Sequence, residues 1–174
     1  MRIAVLSGGR SSEHEISLLS GEAVASGLEA AGHDVVRVLI EKSGAWITDG
    51  HPVSLRPGEG MEVAGDLLSI DVVFPVLHGP FGEDGVTQGT IDSIGLPYAG
   101  SDVLASAVCM DKLTLKRLCG FHGIPQVDFV QAFTPGWEEA AKRLDFPLWR
   151  RTSRLGSSVG ISKVTDPADL TAAD

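Results

Sequence analysis

The opening forty residues spell strand, helix, strand, and that order restricts the fold more than any other feature of the chain. Ile3-Ala4-Val5-Leu6 is an unbroken apolar run entering Ser7-Gly8-Gly9, as in a strand covered on both faces that ends in a tight loop. A helix is expected next, because Ile16, Leu19, Ala23, Gly27 and Ala30 recur three or four residues apart and Gly32 stands where a helix would stop. Residues 34–40 then alternate strand formers with polar residues. The sum is a βαβ unit, whose crossover should be right-handed.

Beyond it the pattern is weaker. Gly44, Gly50, Pro52, Pro57, Gly58, Gly60 and Gly65 punctuate residues 41–69, which read as small strands and loops on the flank of the sheet. Residues 71–77 form a second buried-strand run and deliver His78-Gly79-Pro80-Phe81-Gly82-Glu83-Asp84-Gly85 to the carboxyl end of the sheet, where open α/β sheets bind ligands. A short helix over 86–94, a short strand over 96–99 and a helix over 103–109 follow.

The second half is built differently. Residues 111–119 are helical in composition, 126–132 read as a strand, and 135–144 as a helix with Trp137, Ala140, Ala141 and Leu144 on one side. Strands over 146–151 and 161–164 flank the turn Gly156-Ser157-Ser158-Val159-Gly160. Two domains are therefore expected, 1–109 and 110–174. Asp166, Pro167 and Asp169 then start a helix that runs only to Asp174. Isolated helices that short are marginal, so a longer protein cut at this point is the expectation.

Fourteen Lys and Arg against 23 Asp and Glu leave a net charge of −9. A domain that binds nucleic acid by neutralising phosphates carries the opposite balance, so no nucleic-acid partner is expected. No apolar run approaches the ~18 residues of a membrane helix, and residues 3–6 are too short for the core of a secretory signal. Cys109 and Cys119 have no His or carboxylate partners at metal-ligand spacing, which reads as reduced packing thiols in a cytoplasmic protein.

Neither G-x-x-x-x-G-K-[ST] nor G-x-G-x-x-G is present. Three glycine-marked loops remain, each with free backbone N–H groups suited to anions. In the first, Ser12 and Glu15 have capping-box spacing, which competes with a role for Glu15 in holding a ligand ammonium. His14 beside it reads equally as a solvated or packed histidine. In the second, Glu83 and Asp84 suit the capping of a helix start and His78 suits a packed strand end. Their grouping with three glycines points instead to a ligand loop. In the third, Arg150, Arg151 and Arg154 precede a small-residue turn with two hydroxyls, a setting for phosphate or carboxylate, or else a basic surface patch. Lys112, at a helix start, has simple solvation as its alternative.

Taken together, these loops resemble the D-alanine:D-alanine ligases of the ATP-grasp superfamily. Residues 8–17, Gly-Gly-Arg-Ser-Ser-Glu-His-Glu-Ile-Ser, look like the family's opening, and residues 78–85 like its His-Gly-x-x-Gly-Glu-Asp-Gly signature. Leu104-Ala105-Ser106-Ala107 with Met110-Asp111-Lys112 looks like its domain junction, and residues 154–163 like its glycine-rich segment. The resemblance implies a parallel sheet flanked by helices, of the pre-ATP-grasp, Rossmann-like kind, followed by an incomplete α+β ATP-grasp lobe. It also implies ATP-dependent joining of two D-alanines for peptidoglycan. ATP phosphorylates one carboxylate, the second amine attacks the acyl phosphate, and magnesium neutralises the phosphates. By position, Glu15 would hold the first ammonium and His78 would lie beside its carboxylate. Ser157 would help position that substrate and anchor a mobile loop. Lys112 and Arg151 would contact ATP phosphates, with the main chain of Ser157 and Ser158 near them. The family also tends to dimerise through its first domain.

The chain departs from that pattern in places. Arg150-Arg151-Thr152 stands where the family has an apolar residue, lysine and proline, and a guanidinium does not replace an ammonium conservatively. Thr87 replaces an aliphatic residue, and Leu155 stands where many relatives have glutamate. The family's adenine-holding strand, closing loop, intermediate-steadying arginine and acidic magnesium ligands all fall after residue 174, so no metal ligand is assigned here. The leading expectation is a ligase homologue, truncated and inactive alone. A non-catalytic binding module derived from the ligase and one half of a split enzyme are the alternatives.

Overall fold

The computed structural model describes residues 1–156 and 160–171. They belong to two compact units, Met1–Val108 and Cys109–Asp174.

The first unit opens with β1 (Arg2–Gly8), α1 (His14–Ala30) and β2 (Asp34–Ile40). Five short strands follow: β3 (Trp46–Thr48), β4 (His51–Arg56), β5 (Gly60–Val63), β6 (Asp66–Leu67) and β7 (Val72–Pro75). They form one sheet in the order β6-β5-β4-β3-β2-β1-β7. Strand β1 is central to its parallel part, with Ala4 opposite Val36 of β2 and opposite Val73 of β7. From β2 outward every pairing is antiparallel. The sheet is therefore mixed, where a parallel one is expected from the sequence. The cause is connection length, since parallel neighbours need a crossover of a dozen or more residues. Strands β3 and β4 are joined by Asp49-Gly50 alone, both with positive φ (48° and 77°), and β5 and β6 by Ala64-Gly65 (52° and 93°). Two-residue loops of that geometry make hairpins.

Alternation along β1 explains its unbroken apolar run. Ala4 and Leu6 enter one core with Val38, Ile40, Met61, Val73, Leu77, Ile91 and Ile94. Ile3 and Val5 enter the opposite one, with Ala25 of α1. Helices α2 (Val86–Ser93) and α3 (Val103–Met110) follow β7. The strand expected over 96–99 is reduced to a single bridge between Val73 and Tyr98.

Helix α1 turns a different face inward from the one its apolar spacing suggests. Ile16 and Leu19 are 55% and 73% exposed, and Ala23, Gly27 and Ala30 are exposed with them. The buried positions are His14, Ser17, Gly21 and Ala25. Small residues let the helix axis approach the sheet: a Cβ added to Gly21 would lie 2.4 Å from the Ser7 Cβ. Ser17, fully buried, accepts a hydrogen bond from the Gly8 amide at 2.8 Å and donates to the Val76 carbonyl. Hydrogen bonding to two strand ends outweighs the apolar stripe, because buried backbone groups left unpaired cost more than an exposed leucine.

The second unit contains α4 (Lys112–Phe121), α5 (Trp137–Ala141), the antiparallel pair β8 (Leu148–Arg150) and β9 (Ser162–Val164), and a 3-10 turn, Pro167–Thr171. Its core joins Ala141, Val164 and Leu170 to Trp137, Phe146 and Leu148, which places the expected face of α5 inward. Residues 126–132 form no strand. Strand propensity is realised only with a partner to hydrogen-bond, and the described residues of this unit supply only β8 and β9. The expected final helix is a 3-10 turn whose start is capped by Asp166, Oδ1 accepting from the Ala168 amide at 2.8 Å.

Candidate functional site

Because β2, β1 and β7 are adjacent and parallel, their carboxyl ends deliver three loops to one edge of the sheet. These are residues 9–13, 41–45 and 76–85. Side chains tie them together. Ser11 Oγ donates to the His78 carbonyl at 2.7 Å and accepts from the Glu13 amide at 3.1 Å. Arg10 lies with its guanidinium 4.6 Å from the centre of the Phe81 ring, within cation–π range. Its aliphatic stem passes Gly44, where an added Cβ would stand 3.3 Å from Arg10 Cδ.

Glu15 is in the first turn of α1. The capping box open to it from sequence does not form: the N-cap is Glu13, with no side-chain cap hydrogen bond. Ser11, not Ser12, supplies the local hydroxyl. Glu15 Oε1 instead faces Lys42 Nζ at 3.2 Å, with the two side chains 73% and 66% exposed. His14, the neighbour, is buried. Its Nδ1–H donates to the Gly9 carbonyl at 2.7 Å, a packed histidine that closes the loop.

His78 is half-buried at the end of its segment, with Nε2 3.3 Å from Ser20 Oγ of α1. The rest of the 78–85 loop is braced by its own acids. Glu83 Oε2 accepts from the Gly79 amide at 2.8 Å, Asp84 Oδ2 from the Phe81 amide at 2.8 Å, and Asp84 Oδ1 from the Val86 amide at 3.1 Å. Glu83 thus braces the loop and not the helix start, and Asp84 reaches only the first helical amide, while the N-cap of α2 is Gly85, with no side-chain cap hydrogen bond. Thr87 Oγ1 donates to the Phe81 carbonyl at 2.5 Å, which gives the departure from an aliphatic residue a structural purpose. Phe81 itself has φ 68°, a conformation that a bulky residue holds only when its surroundings impose it.

In the second unit, Asp111 caps α4. It accepts from the Thr114 amide at 3.0 Å and the Ser153 hydroxyl at 2.9 Å, and pairs with Arg154 Nε at 2.8 Å. The Thr114 amide first, then Arg154 and Ser153, hold its carboxyl well below the usual aspartate range. Lys112 Nζ donates to the Leu155 carbonyl at 2.7 Å. Burial first, and then the charge of Arg151, push its ammonium pKa down. Two like charges near enough to feel each other favour an anion between or beside them. Of the three arginines, Arg154 is committed to Asp111 and Arg150 Nε donates to Ser162 Oγ at 3.0 Å. Arg151 is exposed and forms no ion pair among the described residues. Ser157 and Ser158 lie outside the described residues.

Sequence reasoning did not reach Ser11, Ser20, Lys42 or Ser153. Ser11 was legible only as a second hydroxyl beside Ser12, and Lys42 carries no motif signal, since 27 residues separate it from Glu15. Among the described residues no three His, Cys, Asp or Glu side chains gather to hold a metal ion. They do not fit a magnesium site. No helix among them is long and apolar enough to cross a membrane.

Known proteins are similar to this chain in sequence and in fold. The D-alanine–D-alanine ligase of Solibacter usitatus is 43% identical over 175 residues, covering 99% of this chain and 51% of its own length. The solved D-alanine-D-alanine ligase from Coxiella burnetii superposes with a TM-score of 0.87 at 30% identity, over 98% of this chain and 58% of that one. The VanG D-Ala:D-Ser ligase from Enterococcus faecalis gives 0.82 at 34% identity, over 97% and 57%. The chain spans about half the length of the curated relatives it matches. The family model described as D-ala D-ala ligase N-terminus covers residues 2–101, all three loops included, and this chain belongs to that family.

Proposed function

We propose that this chain supplies the first-substrate side and the first phosphate-contacting residues of a D-alanine:D-alanine ligase, an ATP-dependent carboxylate–amine ligase of peptidoglycan synthesis. The observation that carries the reading is Glu15: an acid at the ligand edge of the sheet, whose side-chain partner among the described residues is an ammonium, that of Lys42. A carboxylate held there receives the ammonium of a zwitterionic amino acid by the same charge-assisted contact.

His78, oriented by Ser20, stands beside the substrate carboxylate in this reading. The reaction forms a P–O bond from that carboxylate to the γ-phosphoryl of ATP, releasing ADP. The amine of a second D-alanine then attacks the acyl carbon and phosphate leaves. Such chemistry depends on placement and charge stabilisation. Lys112 and Arg151 supply cations for the phosphates, and Ser157 and Ser158 offer main-chain donors and, at Ser157, a substrate-positioning hydroxyl. Magnesium, when bound, neutralises phosphate charge. The described residues offer it no ligand set, so this reading assigns the chain binding and positioning and routes no step through the metal. The finer expectations go with the same reading: a cytoplasmic location, where ATP is, and a homodimer contact through the first unit, for which exposed Ile16 and Leu19 on α1 offer apolar surface.

A second reading, one half of a split enzyme, has its own support. Phe121, Ile124, Val127 and Phe133 of the second unit are all exposed, and clustered exposed apolar residues mark surfaces that partners cover. A complementing polypeptide would cover it.

Titration of the chain with D-alanine, followed by amide NMR shifts with L-alanine as control, tests the main reading. Saturable shifts in residues 9–13 and 76–85, stronger for the D isomer, are expected. Shifts confined to other residues would remove it.

A further inference from the structure

We propose that Lys42 is the resident occupant of the ammonium site, an internal competitor that an incoming amine must displace from Glu15. The proposal rests on the reading of Glu15 given above and adds a residue that decides how strongly that site is available.

The turn that carries Lys42 is held without the help of its side chain. The Glu41 amide donates to the Ala45 carbonyl at 2.8 Å, and the Gly44 amide to the Glu41 carbonyl at 2.9 Å. Ser43 Oγ donates to the Glu41 carboxylate at 3.0 Å and accepts from the Ala45 amide at 3.2 Å. The stem of Arg10 lies over Gly44, whose φ of 94° excludes most side chains. The turn is thus closed by its own hydrogen bonds and packed against the first loop, and among the described residues the Lys42 ammonium has one partner, Glu15 Oε1 at 3.2 Å. Among the described residues the Glu15 carboxylate in turn has no other partner. Each group satisfies the other, and neither is needed to hold the loop.

A tethered ammonium has consequences for any ligand that uses the same acid. Apparent affinity falls by the fraction of time the acid is free. An exposed ion pair of this kind shifts that fraction by about two- to fivefold. The displaced lysine gains nothing from the ligand, because the carboxylate of the amino acid is directed to His78 in the reading above. The competition therefore applies equally to an amino acid and to its amide. It lowers the affinity of every amine that uses Glu15 by the same factor.

The test is the dissociation constant of D-alanine, and of D-alaninamide, from the 174-residue chain, followed by amide NMR shifts. Lys42→Met should tighten both about two- to fivefold, and Lys42→Arg, which keeps a cation opposite Glu15, should return them to the unmodified value. Glu15→Gln should weaken both at least about tenfold, as for loss of a charge-assisted hydrogen bond, and adding Lys42→Met to it should recover nothing. If Glu15→Gln weakens binding but Lys42→Met leaves it unchanged or weakens it, the competitor role is wrong while the ammonium site stands. If Glu15→Gln has no effect, or no protein shows saturable shifts, the ammonium site itself is wrong and the competitor role goes with it.

Discussion

The Ser17 hydroxyl oxygen lies 2.8 Å from the Gly8 amide nitrogen, at the point where β1 gives way to the first loop. The same hydroxyl donates to the Val76 carbonyl, so one side chain pins the start of two of the three loops to α1. Replacing it by alanine leaves a buried donor and a buried acceptor unpaired. Ser17→Ala should cost about 2 kcal/mol, read as a lower urea midpoint at unchanged slope. A change within a few tenths of a kcal/mol would mean that water or relaxed backbone takes over both bonds.

The inward face of α1 is open to a paired test with opposite signs. At Gly21 a new Cβ would meet Ser7 at 2.4 Å, whereas at Gly27 nothing lies within 4 Å. Gly21→Ala should destabilise by roughly 1–3 kcal/mol through overpacking. Gly27→Ala should stabilise by up to about 1 kcal/mol, because alanine restricts the unfolded chain and favours helix. Reversed signs would put the Ile16, Leu19, Ala23, Gly27, Ala30 stripe inside after all.

That stripe shows where the sequence is readable and where it is not. The unbroken run of Ile3 to Leu6 announces a strand buried on both sides because each successive residue must find its own apolar layer, and each does. Strand β2 is legible over its full length, as is the inward side of α5. Helix α1 misleads because its buried side is built from Ser17 and Gly21, whose value lies in hydrogen bonds and close approach to a strand that spacing cannot reveal. Residues 126–132 have strand-forming side chains but no neighbour to pair with among the described residues. Motif content brought Glu15 and His78 to notice, whereas Lys42 and Ser11 act through contacts across loops and carry no local mark.

Asp111 makes stability depend on pH on the acid side. Its carboxyl is held below the ordinary value by the Thr114 amide, Arg154 and Ser153, so the folded state binds that proton less readily than the unfolded one. The contribution is complete above the ordinary aspartate value of about 3.9 and fades as pH falls beneath it. Asp111→Asn should flatten the stability profile of the second unit below that value, measured by thermal melts across the acid range. An unchanged slope would show that the Asp111 network does not survive in solution.

Lys112 and Arg151 offer a direct test of the phosphate reading. Arg151 lowers the Lys112 pKa through like charge, behind the larger effect of burial. Arg151→Met should therefore raise the Lys112 pKa while leaving it below the ordinary lysine value, as followed by NMR of the lysine side chain. Tripolyphosphate, binding beside both cations, should raise it in the unmodified chain. A Lys112 titration that responds to neither change would place Arg151 elsewhere and remove the pair as a phosphate site.

The most direct measurement is a crystal structure of the chain grown with D-alanine. The ammonium nitrogen should lie within about 2.7–3.2 Å of the Glu15 carboxylate, with Lys42 displaced and the ligand carboxylate on the side of His78. D-alanine bound elsewhere, with the contact between Glu15 and Lys42 still closed, would contradict the assignment of this edge of the sheet as a substrate site.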